Sequence, residues 1–239
     1  MEVENTQQTQ VSKTVAQTYA IPFAIIIAGL AIASAIYFGD SKKAAVAATG
    51  QGNAQVDPVT KDDHIVGNPN AKVVIVEYSD TECPYCKFFH VTMNRIMNDY
   101  GKDGQVAWVY RHLIVIPGHT YAQKEAESTE CANKLGGNTK FWEFTNKVFE
   151  KTQGNNSLDP AELPKIASSI GLDVTAFNKC VASGEMKSIV DKNIASGLKA
   201  GANGTPNSFV LVDGKVAGQI EGAQPYENIK AGIDGILKQ

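Results

Sequence analysis

The run Val73-Val74-Ile75-Val76-Glu77-Tyr78-Ser79-Asp80-Thr81-Glu82-Cys83-Pro84-Tyr85-Cys86 constrains everything around it. Its unbroken, β-branched start predicts a buried strand over Lys72–Tyr78. After Cys86, the residues Phe88, Phe89, Val91, Met93, Ile96 and Met97 approximate a helical apolar face that ends at Tyr100-Gly101. Pro84 suits the first helical position, where a missing N–H costs nothing and φ is already set. Cys83 then falls at the N-cap. There the unpaired N–H groups and the positive helix end favour a thiolate, the reactive form of cysteine. The sequence therefore predicts an exposed, low-pKa nucleophile at Cys83 and a more buried resolving thiol at Cys86, one turn further in. The two-residue spacing lets the sulfurs close a small ring and open it with little backbone motion.

A lone C-x-x-C is also half of a zinc site. Here Cys131 and Cys180 are isolated, no second C-x-x-C exists and no H-x-x-x-H follows, so no metal is expected and the redox reading is preferred. Thiol–disulfide exchange itself needs no cofactor.

The strand, the Cys-Pro-x-Cys, the helix and a distant Thr205-Pro206 resemble the thioredoxin superfamily. Glu77 six residues before Cys83, Cys131-Ala132 followed by Phe141-Trp142-Glu143-Phe144, and Gly204-Thr205-Pro206 before a strand resemble its DsbA-like branch. The resemblance covers roughly residues 57–239. It implies an α/β thioredoxin fold with an inserted all-helical domain, and a thiol–disulfide oxidoreductase that puts disulfides into proteins outside the cytoplasm. The same residues also suit a reductase or isomerase, or a peptide-binding module without catalysis. By this resemblance Pro206 is cis and faces the redox pair, and Thr205 offers backbone groups to a bound peptide as an added strand. A trans proline at a strand edge is the plainer alternative. Pro84 and Tyr85, between the cysteines, are placed to contact substrate.

Before that region the chain changes character. Residues 1–19 are polar and Gln/Thr-rich, which predicts disorder. Residues 20–38 carry no charge and at helical rise span about 28 Å, which predicts a transmembrane helix or signal anchor. Ala33-Ser34-Ala35 has the form of a signal-peptide cleavage site, but the run is long and the region before it weakly basic, so an uncleaved anchor is preferred. Lys42 and Lys43 follow the run while only Lys13 precedes it, which weakly disfavours an exported C-terminal domain. The redox chemistry argues for export nonetheless. Residues 39–60, rich in Ala, Gly and Gln, read as a linker, and 61–239 as the catalytic domain. The expected partners are reduced or unfolded proteins, a membrane redox protein that reoxidises the pair, and the bilayer. A net charge of −3 gives no reason to expect nucleic acid.

Within the domain, Gln105–His112 predicts a second strand, parallel to the first through the redox helix. Residues 120–200 read as consecutive helices, broken at Gly136-Gly137, Gly154, Gly171, Gly184 and Gly201 and started at Thr139, Asp159-Pro160 and Asp173. Five helices exceed what a crossover needs, so they form an insertion. Cys131 and Cys180 fall on its first and fourth helices, either as free buried thiols or as a disulfide. DsbA-like relatives with a bond between these helices favour the disulfide. Asn207–Val212, an Asp213-Gly214 turn, Lys215–Ile220 and a helix over Pro225–Leu237 complete the expected order. Glu77, in a strand that should be buried, either points to solvent at a strand end or accepts a proton from Cys86 through water, its pKa raised by burial. His112 and His119 are expected at the surface. Phe141, Trp142 and Phe144 are expected in the core.

Overall fold

The computed structural model describes residues 54–238. The predicted segment 1–19, the predicted membrane helix 20–38 and the linker up to residue 53 lie outside the described residues. Among the described residues no helix is long and apolar enough to cross a membrane.

Five strands form one sheet in the order β1-β3-β2-β4-β5, with β1 His64–Gly67, β2 Val73–Ser79, β3 Val106–His112, β4 Asn207–Val212 and β5 Lys215–Glu221. β2 and β3 run parallel, joined over one face of the sheet by α1 (Pro84–Ile96) as expected. A π-helical turn, Met97–Gly101, follows α1. β4 lies antiparallel to β2, with Ser208 opposite Glu77, and turns through Asp213-Gly214 into β5. The helix α6 (Tyr226–Leu237) closes the chain beside α1. Between β3 and β4 lie α2 (Ala122–Lys151), α3 (Leu163–Ser169), α4 (Val174–Ser183) and α5 (Lys187–Ala200). α2 is one 30-residue helical run broken at Gly137, whose φ of 73° and ψ of −172° leave helical space. Asp159 and Asp173 accept N-cap hydrogen bonds from Ala161 and Ala176, and Gly184 and Gly201 end their helices in the left-handed conformation. This is the expected thioredoxin-type arrangement with a helical insertion.

Strand alternation divides the core. Val73 and Ile75 face α1 and α6 with Phe89, Met93, Ile96, Trp108, Tyr110 and Ile229. Val74, Val76 and Tyr78 face the other side with Val109, Phe209 and Leu211. A third cluster fills the insertion around Phe144, Val148, Ile166 and Phe177. Phe141 and Trp142 pack under α1 while Phe144 packs in the insertion, so neighbouring turns of α2 tie the two cores together.

Four expectations change. β1 was not predicted: it is only four residues long and pairs on one edge alone, antiparallel to β3. Ala54, Val56 and Val59, which composition assigns to a linker, pack against the second core cluster. Phe88 and Val91 are exposed instead of completing the apolar face of α1, because only the Phe89–Met93–Ile96 stripe meets the sheet. His112 is buried and His119 is half-buried, where both were expected at the surface. Glu130 Oε1 receives the Nε2 atoms of both His64 (2.8 Å) and His112 (3.1 Å), and His119 Nδ1 lies 2.7 Å from Asp80 Oδ2.

Candidate active site

Cys83 occupies the N-cap of α1 with extended backbone (φ −80°, ψ 118°) and Pro84 follows at the first helical position. Both redox cysteines are free thiols. Cys86 is fully buried, as predicted. Cys83 is not the exposed thiol expected from sequence, since only 5% of its surface is accessible. Its cover comes from distant segments. Cys83 Sγ donates to the Thr205 carbonyl at 3.4 Å, and the Thr205–Pro206 bond is cis. On the other side Asn155 N–H donates to the Glu82 carbonyl at 2.7 Å and the Gly154 backbone lies against Pro84. Tyr85, Phe88 and Val91 project outward from α1 beside the pair.

The environment separates the two thiols. Cys83 is lowered to about 6, chiefly by a hydrogen bond from Cys86, opposed by burial, with further help from the Thr205 side chain and the N–H groups of Cys86 and Tyr85. Cys86 is pushed well above the ordinary thiol range, first by burial and then by its hydrogen bond to Cys83. A pair so divided holds one thiolate, at the outer sulfur, and one proton, at the inner sulfur.

Glu77 lies beneath them and is fully buried, which removes the alternative of a solvent-facing strand end. Trp108 Nε1–H donates to its Oε2 at 2.8 Å, while burial raises its carboxyl to about 7. The turn before Cys83 is built from acids that sequence reasoning did not single out. Asp80 Oδ1 accepts the Glu82 N–H (2.9 Å), and Asp80 N–H points to Cys86 Sγ (3.4 Å). Glu82 Oε2 accepts from both Tyr121 and Ala122 N–H at 3.0 Å, at the start of α2. Glu125, buried in the first turn of α2, has no hydrogen-bond partner on either carboxylate oxygen and is raised to about 7 by burial. Asp80 and Glu82 flank the cysteine motif in sequence, which was the available signal. Nothing in the sequence marked Glu125. Cys131 and Cys180 form a disulfide between α2 and α4, with Cα atoms 5.9 Å apart, inside the insertion core. Among the described residues no group of His, Cys, Asp and Glu is arranged to hold a metal ion.

A family model described as thioredoxin matches residues 59–235. Among curated proteins, the chain is 32% identical over 154 residues to Na(+)/H(+) antiporter NhaA 3 of Salinispora tropica, covering 64% of this chain. It is equally identical over 155 residues to the NhaA antiporter of Herminiimonas arsenicoxydans. The chain spans only 22% and 23% of those two proteins, so the transport in their names is theirs. Among solved structures, oxidised BdbD from Bacillus subtilis is similar with a TM-score of 0.63 and 26% identity, over 76% of this chain and 96% of that one. Pseudomonas aeruginosa DsbA2 gives 0.62 and 26% over 76% and 98%. Wolbachia pipientis alpha-DsbA1, at 20% identity with a TM-score of 0.66 over 78% and 96%, shares the fold.

Proposed function

The chain belongs to the thioredoxin family, and on that premise we propose that it is a thiol–disulfide oxidoreductase of the DsbA kind, which introduces disulfides into proteins outside the cytoplasm. The observation that carries this reading is the placement of the pair, with Cys83 at the N-cap of α1 facing the Thr205 carbonyl and Cys86 fully buried one turn further in, an arrangement that lowers Cys83 to about 6 and raises Cys86. Stabilising the Cys83 thiolate stabilises the reduced enzyme, and a pair whose reduced form is stabilised is a strong disulfide donor.

The reaction proceeds in two exchanges. A substrate thiolate attacks Cys83 Sγ of the oxidised pair, the Cys83–Cys86 bond breaks, and Cys86 leaves with the electron pair. Cys86 takes up a proton, with Glu77 as its source. A second substrate thiolate then attacks the substrate sulfur of the mixed disulfide, and Cys83 leaves as the stable thiolate. The substrate gains a disulfide and the enzyme is reduced. In this reading the substrate backbone lies along Thr205-Pro206, whose carbonyl already faces Cys83 Sγ, and Pro84 and Tyr85 touch it. Residues 20–38 anchor the chain in a membrane with the catalytic domain on the outer side, and a membrane redox protein reoxidises the pair.

The test is the reduction potential of the Cys83–Cys86 pair in the full chain, equilibrated against glutathione buffers, with Cys131 and Cys180 followed separately by mass spectrometry. A potential well above that of glutathione is expected. A value near that of thioredoxin, about −270 mV, would make this a reductase. Dithiol turnover that survives Cys83→Ala would make it a binding module.

A further inference from the structure

Beneath Cys86 the sheet gathers hydroxyls that the exchange reaction, as written above, does not use. Alternation along β2 puts Glu77 and Ser79 on the face covered by α1. Tyr110 of β3 and Ser208 of β4 stand opposite Glu77 from its two neighbouring strands, on the same face. All four residues are fully buried. Glu77 Oε1, Ser79 Oγ, Tyr110 Oη and Ser208 Oγ each lack a close hydrogen-bond partner in the protein. Ser79 is the shared polar neighbour, its hydroxyl acting on Glu77, on the Cys86 thiol and on Tyr110. Buried polar oxygens are costly when unsatisfied, and four on one face of the sheet around Glu77 suit an internal water with several partners.

We propose that Ser79 is the positioning residue of a proton relay, in which its hydroxyl and one internal water connect Cys86 Sγ to Glu77 Oε1. The inference rests on the oxidoreductase reading and specifies how Glu77 serves it. When Cys86 leaves Cys83, Ser79 Oγ gives its proton to Cys86 Sγ and takes one from the water. The water takes one from the protonated Glu77, which ends as a carboxylate. Tyr110 and Ser208 hydroxyls hold the water. Reoxidation runs the same path backwards. The titratable groups around this relay are Glu77 from β2, Cys83 and Cys86 from the start of α1, Tyr110 and His112 from β3, and Asp80 from the turn, with His112 held by Glu130.

The test uses the full chain, oxidised at Cys83–Cys86, reduced by dithiothreitol in stopped flow from pH 5 to 9. Rates are expressed per substrate thiolate. The wild-type rate should fall as Glu77 loses its proton near pH 7. Ser79→Ala should remove that inflection and slow the reaction at pH 6 by at least about 10-fold, at or below the low end of what a positioned proton donor contributes. The Ser79→Ala/Glu77→Gln double variant should be no slower than the slower single variant. Thiolate absorbance of Cys83 should titrate as in the wild type, which a general loss of structure would not allow. A Ser79→Ala enzyme with the wild-type rate and inflection overturns the relay, as do losses that multiply in the double variant. Should Ser79→Ala fail to fold, Tyr110→Phe carries the same comparison with the same two outcomes. Failure of the oxidoreductase reading is distinct, because it would show as turnover in Cys83→Ala whatever Ser79 does.

Discussion

Removing the Cys131–Cys180 disulfide should cost stability without touching the redox reaction. The bond joins α2 to α4 across 49 residues of sequence. Closing a loop of about 50 residues lowers the entropy of the unfolded chain by an amount worth about 4 kcal/mol at 25 °C. Cys131 and Cys180 also sit in the apolar cluster of Phe144, Val148, Ile166 and Phe177. Replacing both by alanine trims that cluster and adds roughly 1 kcal/mol of lost packing. The Cys131→Ala/Cys180→Ala chain should therefore lose about 4–5 kcal/mol in urea unfolding at pH 7, with a larger m-value because the unfolded chain is no longer cross-linked. Dithiol kinetics at Cys83 should stay within about two-fold, since the bond lies in a core cluster separate from the redox pair. A loss below about 1 kcal/mol would refute the loop-closure argument. An equal collapse of redox kinetics would refute the separation of the two cores.

Two further outcomes follow from the acids and the loop around Cys83. Glu125 is raised to about 7 from an ordinary 4.5, so between those values the folded chain holds a proton that the unfolded chain has lost, and stability falls as pH rises through that window. Glu125→Gln, measured by urea unfolding, should therefore gain up to about 3 kcal/mol at pH 8 and show no gain at pH 4; an equal gain at both pH values would refute the burial argument. Gly154 has a φ of 84°, and a Cβ there would stand 2.7 Å from Pro84 Cγ and 2.8 Å from the Glu82 carbonyl, so Gly154→Ala should cost about 2–3 kcal/mol and raise the rate at which Cys83 is alkylated, read by mass spectrometry; unchanged alkylation would mean the loop does not cover the thiol.

The sequence was most informative where one segment decides its own structure. The apolar run of β2, the proline after Cys83 and the Asp and Gly residues bounding the insertion helices each act locally, and each element formed where expected. It was least informative where burial depends on a distant partner. Cys83 looks exposed until Thr205 is brought to it and Gly154 is set against its neighbours Glu82 and Pro84. His112 looks like a surface residue until Glu130 is set between it and His64 from α2. For α1, helical spacing offered one broad apolar face, and spacing alone does not say that only the Phe89–Met93–Ile96 stripe meets the sheet. The acids around the redox turn were visible as residue types in Asp80-Thr81-Glu82, but their contacts with His119 and the start of α2 arise only from the fold. Glu77 was legible because a lone acid in an apolar strand conflicts with its surroundings.

The first described residues show where mechanical load on the chain would be borne. Arg111, on β3, holds Asp63 by both carboxylate oxygens (2.8 and 3.1 Å) and also donates to the carbonyls of Asp57 (3.1 Å) and Pro58 (3.2 Å). These contacts all precede β1, an edge strand of four residues that tension would otherwise peel from the sheet one hydrogen bond at a time. Tension entering before residue 57 meets the packing of Ala54 and Val56 against the core and then the guanidinium, which passes it into β3, paired on both sides. The strand that would carry such a load is thereby an interior one and not the four-residue edge.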